Sequence, residues 1–477
     1  ASDTVNNSDI TFGCDVYSAA VIKINSDNKV EWVNNIKTDL NIGMENCEEI
    51  ENGKYIVFGG YKTKEQGIIP AEETVNNTEI ILTGEQNILV TYNADGLIEN
   101  VEFETGEMFI TEKIDNETFT FDYDYGTTVI NKYDEDKSLA WTSKIGIYAK
   151  KVVKAENGDY IIGGTITREG TIAAENTVLG ENIAIQKFGY GSDIVLVRYN
   201  SEGKVIWLKN AGSMGDDHFC GVSYTKVGEE EKIFIVGELD GESEDSEGSI
   251  GATTILYDGN VEVIDTWCFY DSYSEYADIL YTEDGPVAIG SFYGKFEISA
   301  EETVDNKEIV FYSKGGLDSF IIHYNLDGKI KWCSYINGER DDNYLSIIKD
   351  DAGYIVLGSS VAAKVIPASE TVDGEKISIS GSTESRSFIV KYNEDGKAKT
   401  GFKGASYRET PTDIAKTDDG GFVVVGYYNW DMSINAEMTL SGEKIVLPVS
   451  GERDGYIIKF NSNDKVEWAK GFSSPGN

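Results

Sequence analysis

The sequence predicts an all-β fold, specifically a β-propeller of four-stranded antiparallel blades, because two phrases recur along the chain. The first phrase is an alternating apolar strand, a tight Asn-x-Asp-Gly-Lys turn and a second strand with tryptophan, as in FIIHYNLDGKIKW at 320–332. Its turn residues lie mostly 66 to 68 residues apart, at Asn25, Asn93, Asp134, Asn200, Asp258, Asn325, Asn393 and Asn461. A fixed period made only of strands and turns is typical of one supersecondary unit copied many times.

The second phrase lies between copies of the first and also has the pattern of a hairpin. It is seen as DDAGYIVLGS at 350–359 and DDGGFVVVGY at 418–427, each after a short alternating segment. Each unit therefore contains two hairpins, whose four strands we name A, B, C and D in chain order. Four short strands per unit, with hardly any helical periodicity, favour a propeller over a sandwich or a solenoid.

The count of hairpins predicts seven blades. There are seven A-B hairpins but eight C-D hairpins, because residues 1–36 hold only the second half of a unit. We therefore expect a single domain, with a seven-bladed propeller at 37–477 and an extra half-repeat hairpin at 1–36 that packs on the ring or closes it. Two alternatives are an eight-bladed ring with one incomplete blade and a chain cut within a longer array of repeats.

Composition and charge exclude several classes of partner. The net charge is -42, from 41 Lys and Arg against 83 Asp and Glu, so the surface repels nucleic acid and anionic lipid. No run of 18 apolar residues is present, so we expect no membrane insertion. The five cysteines show no CxxC motif or Cys/His cluster and are interpreted as packing residues.

The repeated tryptophans and turns are predicted to be structural. Six of the seven tryptophans share one position in strand D, where a large ring suits the wedge between adjacent sheets: Trp32, Trp141, Trp207, Trp267, Trp332 and Trp468. The Asn-x-Asp-Gly turns offer about two oxygen side chains each, whereas a calcium loop needs about six oxygen ligands. Asn, Asp and Gly are also the residues that a tight hairpin turn requires.

One stretch of the repeat resembles a known family. The segment YNLDGKIKWCSYINGERDDNYLSIIKDDAGYIVLGS at 324–359 resembles the bacterial seven-bladed β-propeller repeat of surface and secreted proteins. The resemblance covers nearly the whole chain, with degenerate units at about 100–141 and 208–267. It implies an extracellular bacterial protein with a propeller fold, and it supplies no catalytic residues. With the other features of the chain, we expect a module of a larger surface or adhesion protein.

The B-C connections carry most of the variation between units. Five of them are long and hold an inserted phrase with a Thr-Val or Thr-Leu pair, a polar turn and an alternating apolar segment, at 68–85, 172–186, 298–312, 366–380 and 434–448. Each insert predicts a small extra hairpin that thickens one rim of the disc. In a propeller the B-C loops and D-A links share one face, and long connections on a rigid scaffold are where binding surfaces usually lie.

Aromatic residues outside the repeat gather on this B-C face and predict a ligand-binding surface. Exposed Tyr and Trp beside carboxylates are suited to stack on sugar rings and to bond their hydroxyls. The candidate ligand-binding residues are Trp430, Tyr427, Tyr428, Tyr123, Tyr125, Tyr270, Tyr273 and Tyr293. An acidic loop supplies the candidate metal ligands Asp240, Glu242, Glu244 and Asp245, for which Ca²⁺ is the natural ion.

These features predict a non-catalytic, monomeric module that binds a glycan or a protein on a cell or matrix surface. Only two histidines are present, which disfavours histidine-ligated metals and a Ser/His/Asp triad. No cofactor is expected beyond a structural Ca²⁺. The alternative is a carbohydrate-active enzyme, a glycosidase or lyase, which needs only two suitably spaced carboxylates. Its candidates on the B-C face are Asp122, Asp124, Asp271 and Asp431.

Overall fold

A computed structural model describes most of the chain. The described residues are 17–25, 29–38, 41–50, 54–62, 67–69, 71–104, 108–114, 117–124, 126–135, 138–241, 249–260, 262–268, 273–380, 386–404, 409–417, 419–449 and 454–472. Regular structure in these residues consists of β-strands and five single 3₁₀ turns. No helix in these ranges has the length and apolar character needed to cross a membrane.

The strands follow the predicted order. Strands β1 (Tyr17–Ile24) and β2 (Val30–Thr38) form an N-terminal hairpin. Blade 1 contains β3 (Asn41–Ile50), β4 (Lys54–Lys62), the inserted pair β5 (Gly67–Ile69) and β6 (Ile80–Leu82), then β7 (Glu85–Tyr92) and β8 (Ile98–Glu104). Blade 2 contains β9 (Met108–Ile114), β10 (Glu117–Asp124), β11 (Thr127–Tyr133) and β12 (Leu139–Ile145). Blade 3 contains β13 (Tyr148–Lys154), β14 (Tyr160–Ile166), the inserted β15 (Gly170–Ile172) and β16 (Ile183–Ile185), then β17 (Asp193–Tyr199) and β18 (Val205–Asn210).

The remaining four blades complete the ring. Blade 4 contains β19 (His218–Val227), β20 (Glu230–Gly241), β21 (Ser249–Asp258) and β22 (Val263–Cys268). Blade 5 contains β23 (Tyr273–Leu280), β24 (Val287–Tyr293), the inserted β25 (Lys295–Ile298) and β26 (Ile309–Tyr312), then β27 (Asp318–Tyr324) and β28 (Ile330–Gly338). Blade 6 contains β29 (Asp342–Asp350), β30 (Gly353–Ser360), the inserted β31 (Lys364–Ile366) and β32 (Ile377–Ile379), then β33 (Arg386–Tyr392) and β34 (Ala398–Lys403). Blade 7 contains β35 (Glu409–Lys416), β36 (Phe422–Tyr428), the inserted β37 (Met432–Ile434) and β38 (Ile445–Leu447), then β39 (Asp454–Phe460) and β40 (Val466–Phe472).

The fold is a seven-bladed β-propeller, as predicted. In each blade the four main strands pair antiparallel in the order A-B-C-D. The A strands of successive blades contact one another from β3 through β35, which places them innermost. The β1–β2 hairpin packs on β3 as a C strand packs on the next A strand. Of the predicted extra half-repeat at 1–36, residues 1–16 lie outside the described part.

Three of the repeated tryptophans dock on the C-D turn of the next blade. Trp32 Nε1 donates to Ala94 O at 3.0 Å, and Trp332 Nε1 donates to Glu394 O at 2.9 Å. Trp141 stacks on Tyr199, with ring centroids 5.7 Å apart and planes inclined by 15°. The predicted wedge between sheets is confirmed at these three positions.

The Asn-led turns are held by their own side chains, as the structural interpretation predicted. Asn325 Oδ1 accepts the backbone N–H of Asp327 at 2.9 Å and that of Lys329 at 2.8 Å. The same two bonds recur at Asn93, Asn200, Asp258, Asn393 and Asn461. The oxygen that a calcium site would need is therefore engaged in closing the turn.

The five inserts form the predicted small hairpins, but they thicken the outer edge of the disc and not the B-C face. In each insert, the threonine that follows the 3₁₀ turn forms a parallel β-bridge with the first residue of strand D in the same blade. Thr303 forms this bridge with Ile330. The same bridges join Thr74 to Ile98, Thr177 to Val205, Thr371 to Ala398 and Thr439 to Val466. Strand D begins at the end of the blade opposite the B-C connection, so each insert runs along the outer strand. The 3₁₀ turns are Ala71–Glu73, Ala174–Asn176, Ala300–Glu302, Ala368–Glu370 and Ala436–Met438.

The inward side of each insert is part of the core between blades. Phe296, Ile298, Met432 and Ile434 are fully buried. Two of the inserts also reach the preceding unit, since β5 pairs with β2 of the N-terminal hairpin and β31 pairs with β28 of blade 5. The inserts therefore pack against the outer strands of the disc. This packing accounts for the alternation of apolar residues in the inserts, and no binding role is needed to explain it.

One position in strand C carries a buried cation in three blades, at Lys132, Arg198 and Lys459. Arg198 bonds Asp159 at 2.9 Å and Glu231 at 2.7 Å, and Lys459 bonds Asp419 at 2.9 Å. In blade 5 this position is His323, which is 1% exposed and packs edge-on against Trp332 at 5.3 Å. Neither of its ring nitrogens has a hydrogen-bond partner in the described part of the chain. Burial, with a smaller contribution from Lys331, lowers the pKa of His323 to about 4.

Replacing His323 with phenylalanine is expected to reduce the acid sensitivity of the protein. Between pH 6.5 and about pH 4, His323 is protonated in the unfolded state but stays neutral in the folded state. The folded state is therefore destabilised relative to the unfolded state as the pH falls through this range. The pKa difference corresponds to about 3 kcal/mol of this destabilisation. Urea unfolding of parent and variant at neutral pH and at about pH 4.5 measures it.

The matched control is His218→Phe, at an exposed histidine whose side chain is 57% accessible. Because water screens an exposed charge, this variant should change the pH dependence much less than His323→Phe does. Equal pH dependence in the parent and in His323→Phe would show that His323 does not contribute to the acid sensitivity.

Candidate functional site

Two of the predicted tyrosines form an exposed pair on the B-C face of blade 5. Tyr273 begins β23, Tyr293 ends β24, and the two are direct partners across the strands. Paired residues of antiparallel strands project from the same side of the sheet. Tyr273 is 41% exposed and Tyr293 is 55% exposed. Tyr273 also donates from its hydroxyl to Glu275 Oε2 at 2.7 Å. The structure thus places two accessible rings beside a carboxylate.

Charged groups of the neighbouring blades share this end of the inner strands. His218 and Glu238 are partners across β19 and β20 of blade 4, with Nδ1 and Oε2 4.0 Å apart. Burial raises the pKa of Glu238, and repulsion from Glu275 raises it further. Burial and the bond to Glu275 raise the pKa of Tyr273, so its hydroxyl remains a hydrogen-bond donor. We call Tyr273, Tyr293, Glu275, Glu238 and His218 the tyrosine site.

Two other predicted ligand-binding tyrosines are buried. Tyr123 is 4% exposed and its hydroxyl donates to Ala149 O, while Tyr428 is 1% exposed and donates to Pro448 O at 3.3 Å. Both rings belong to the cores between blades. The expectation of an accessible ring therefore fails at these two positions.

Trp430 lies apart from the tyrosine site, between β36 and β37 of blade 7. It is 58% exposed, and the half-buried Tyr427 lies in the adjoining strand. Asp431, a candidate acid of the enzyme alternative, is exposed and accepts the backbone N–H of Val449 at 2.9 Å. This bond closes the base of the inserted hairpin, which gives Asp431 a structural role.

Several candidates fall outside the described residues or are described only by their backbone. Tyr125, Tyr270, Asp271 and the acidic-loop residues Glu242, Glu244 and Asp245 are outside the described ranges. Asp240 pairs with Ile250 in the β20–β21 ladder, and Asp122 and Asp124 lie in β10. In the described part of the chain, no three His, Cys, Asp or Glu side chains are grouped to hold a metal ion.

A cavity that the sequence did not indicate opens between the inner strands of blades 3 and 4. Its volume is about 620 Å³, and β13 and β19 supply most of its wall. It extends toward the A-B turns, so it faces away from the tyrosine site. The hydroxyl of Ser223 lines the cavity, is buried, and has no hydrogen-bond partner among the described residues. The cavity has no signal in the sequence, because its walls come from strands that are far apart along the chain.

Two carboxylates of the inner strands approach one hydroxyl. Ser346 Oγ of blade 6 lies 2.9 Å from Asp413 Oδ1 of blade 7 and 3.5 Å from Asp278 Oδ2 of blade 5. Burial raises the pKa of Asp278, and Asp413 contributes to the increase. Each aspartate follows a β-bulge and accepts the N–H of its own next residue, at Ile279 and Ile414. This recurrence indicates that both acids cap the bulge of strand A.

Comparisons with known proteins show no functional relative. No family model matches the chain, and no curated protein matches it. The chain is similar to an acylaminoacyl peptidase of Pyrococcus horikoshii, with 10% identity, a TM-score of 0.29, and coverage of 82% of this chain and 58% of the peptidase. For apo AztD from Citrobacter koseri the identity is 10%, the TM-score 0.32 and the coverages 95% and 93%. For a Synechocystis apocarotenoid oxygenase mutant they are 8%, 0.35, and 88% and 90%. Scores this low carry no argument about activity.

Proposed function

We propose that the protein is a non-catalytic module of a bacterial surface protein that binds glycans through the tyrosine site. The supporting observation is the direct pairing of Tyr273 with Tyr293, both exposed, next to the carboxylate of Glu275. Adjacent rings supply flat apolar area for the face of a sugar, and Glu275 and Glu238 accept hydrogen bonds from its hydroxyls.

The position of the site on the scaffold also supports binding. The tyrosine site combines the inner hairpins of two blades, β19–β20 and β23–β24. Side chains on paired strands lose little freedom when a ligand binds, because packing already restricts the backbone and the ring orientation. The excess of acidic residues favours a neutral or cationic glycan over a sulfated or uronate-rich one.

The expected effect of Tyr273→Ala is a roughly tenfold or greater loss of affinity for the recognised glycan. Cello-, malto- and N-acetylglucosamine oligosaccharides would be screened on an array, and the best of them titrated by calorimetry. Tyr293→Ala should weaken binding by a similar factor, since both rings would contact the same sugar.

The matched control is Tyr312→Ala, in β26 of the same blade. Tyr312 is 65% exposed but lies in the inserted hairpin, away from the tyrosine site. Affinity should be unchanged in this variant. Binding that survives loss of both site tyrosines but is lost in Trp430→Ala would move the glycan site to blade 7.

The enzyme alternative has one supporting observation, the approach of Asp278 and Asp413 to Ser346. The bulge-capping bonds of both acids favour a structural role over catalysis. The same oligosaccharides incubated with the protein should therefore yield no new reducing ends. Turnover that Asp278→Asn abolishes would contradict the proposal and establish a glycosidase.

A further inference from the structure

A buried lysine lies at the junction of blades 5 and 6, at an insert position that holds an apolar side chain in blades 5 and 7 and glycine in blades 1 and 3. Lys364 begins the inserted strand β31 and is 3% exposed. Its ammonium nitrogen lies 4.0 Å from the centre of the Phe388 ring. Phe296 and Met432 occupy the corresponding position in the inserts of blades 5 and 7, and both are fully buried. The lysine is therefore a departure from the repeat in a position built for packing.

The partner of this lysine is a buried aspartate. Asp342, at the start of β29, has no exposed surface, and its Oδ1 lies 3.8 Å from Lys364 Nζ. Neither carboxylate oxygen has a donor at full hydrogen-bonding geometry among the described residues, but the Ser360 hydroxyl lies close enough to lower the pKa of Asp342. The nearby Ser360 hydroxyl donates to Ala362 O instead. Lys364 Nζ donates to Ala362 O at 3.5 Å and lies 3.8 Å from the Asp342 carboxyl group, its nearest acidic partner.

The acids at the same point of other blades are hydrogen-bonded. Asp217 immediately precedes strand A of blade 4, and its Oδ1 accepts a hydrogen bond from the hydroxyl of Ser213 at 2.6 Å. Glu409 begins strand A of blade 7 and accepts from the hydroxyl of Ser387 at 2.6 Å. At Asp342 the corresponding Ser319 hydroxyl donates to the backbone oxygen of Asp342 at 2.6 Å, and the charged neighbour of the carboxyl group is Lys364.

A second buried carboxyl group adjoins the pair. Asp318, with no exposed surface, accepts the N–H of Gly338 through Oδ1 at 2.9 Å. Gly338 is the direct partner of Lys364 in the β28–β31 pairing, and a Cβ at Gly338 would overlap Oδ2 of Asp342. Gly338 therefore lies between the backbone of Lys364 and the Asp342 carboxyl group. Asp318, whose Oδ2 also accepts the N–H of Lys314 at 2.7 Å, is near enough to raise the pKa of Asp342.

Burial shifts the pKa of all three groups toward the neutral form, and least for Asp318, which stays the more acidic of the two carboxyl groups. It raises the pKa of Asp342 to about 7 and that of Asp318 to about 6. It lowers the pKa of Lys364 to about 8. Near neutral pH a free amine and an un-ionised carboxyl group are thus accessible together, in a site that excludes water.

We propose that Lys364 and Asp342 form an intramolecular isopeptide bond, with Asp318 transferring the proton. The lone pair of Nζ attacks Cγ of the protonated Asp342 carboxyl group, and a C–N bond forms. The Asp318 carboxylate accepts a proton from the nitrogen and passes it to the departing hydroxyl group, so a C–O bond breaks and one water leaves. Nothing is oxidised or reduced, and no co-reactant is required. The cross-link ties the inserted hairpin to the innermost strand of the same blade.

Intact-mass spectrometry of the denatured full chain tests the proposal directly. The expected mass is lower than that of the sequence by one water molecule. After digestion, trypsin should not cleave at Lys364, and its peptide should be joined to the peptide that contains Asp342. A folded parent protein with the full sequence mass would overturn the proposal and leave a buried ion pair.

Variants assign the roles of the three residues. Lys364→Arg keeps a cation but lacks the nucleophile, and it should show the full sequence mass. Asp318→Asn should also accumulate the uncyclised mass, because the proton acceptor is lost while Lys364 and Asp342 remain. A cross-link that forms at the parental rate in Asp318→Asn would refute the role of Asp318.

The matched control is Lys459→Arg, which changes a lysine of similar burial that pairs with Asp419 in blade 7. This variant should retain the loss of one water. The loss of water in the parent needs no substitution to be measured, so the test stands even where a variant fails to fold.

Discussion

The Phe296→Ala variant should unfold with a free energy about 4 kcal/mol lower than that of the parent. Phe296 is fully buried in the inserted hairpin of blade 5, with its ring centroid 4.8 Å from that of Phe320 and 5.3 Å from that of Phe292. Truncation removes these contacts and leaves a cavity between the insert and the main sheet, because the surrounding strands relax only partly. Urea unfolding followed by tryptophan fluorescence measures the change.

The control for this prediction is Tyr312→Ala in the same hairpin. Tyr312 is 65% exposed, so its loss should alter the free energy of unfolding by less than about 0.5 kcal/mol. If both substitutions had the same small effect, the inserts would not contribute to the packing between blades.

The Gly203→Ala variant should lose about 3 kcal/mol of folding free energy, from two separate causes. Gly203 has φ of 79°, a conformation that an L-residue adopts at a cost of about 1 kcal/mol or more. An added Cβ would also overlap the indole ring of Trp141, which belongs to the preceding blade. The ring is held by stacking on Tyr199 and cannot move without loss of that contact.

Gly158→Ala separates the two causes. Gly158 lies in the A-B turn of the same blade with φ of 87°, and no atom lies within 4 Å of the position that its Cβ would take. This variant should lose only the backbone contribution, about 1 kcal/mol. An equal loss in the two variants would show that the tryptophan contact contributes nothing.

The blade pattern could be predicted from the sequence because it depends on local signals. Turn residues such as Asn325 bond their own backbone, and alternation in strands such as β27 reports burial on each side. The path of the inserts could not be read in this way. Their alternation identifies a hairpin, but the bridge from Thr303 to Ile330 depends on tertiary packing.

The failures at Tyr123 and Tyr428 had a signal in the sequence. Side chains alternate along a strand, so Tyr123 is in phase with Phe121, and Tyr428 is in phase with Val424. Both reference residues are buried. Strict use of the two-residue period would have placed both tyrosine rings inside.

The tyrosine site and the lysine junction had weaker signals. The pairing of Tyr273 with Tyr293 depends on a β-bulge after Tyr276, which shifts the register by one residue and cannot be located from composition. Lys364 and Asp342 meet because an insert folds back to the outer strand of the preceding blade. The sequence signal at Lys364 is a charge at an insert position that elsewhere holds Phe, Met or Gly.

The docking of tryptophans across blades determines how unfolding can spread. The indole nitrogens of Trp32 and Trp332 bond to oxygens 62 residues further along the chain, so the turn of one unit is completed by the unit before it. Loss of one blade therefore removes a packing partner from the next, which couples their opening as in a linear array with nearest-neighbour interactions. Cooperativity of unfolding therefore arises at the junction between two units. If units are exchanged among such proteins, each Trp should be kept together with the glycine-containing turn on which it packs.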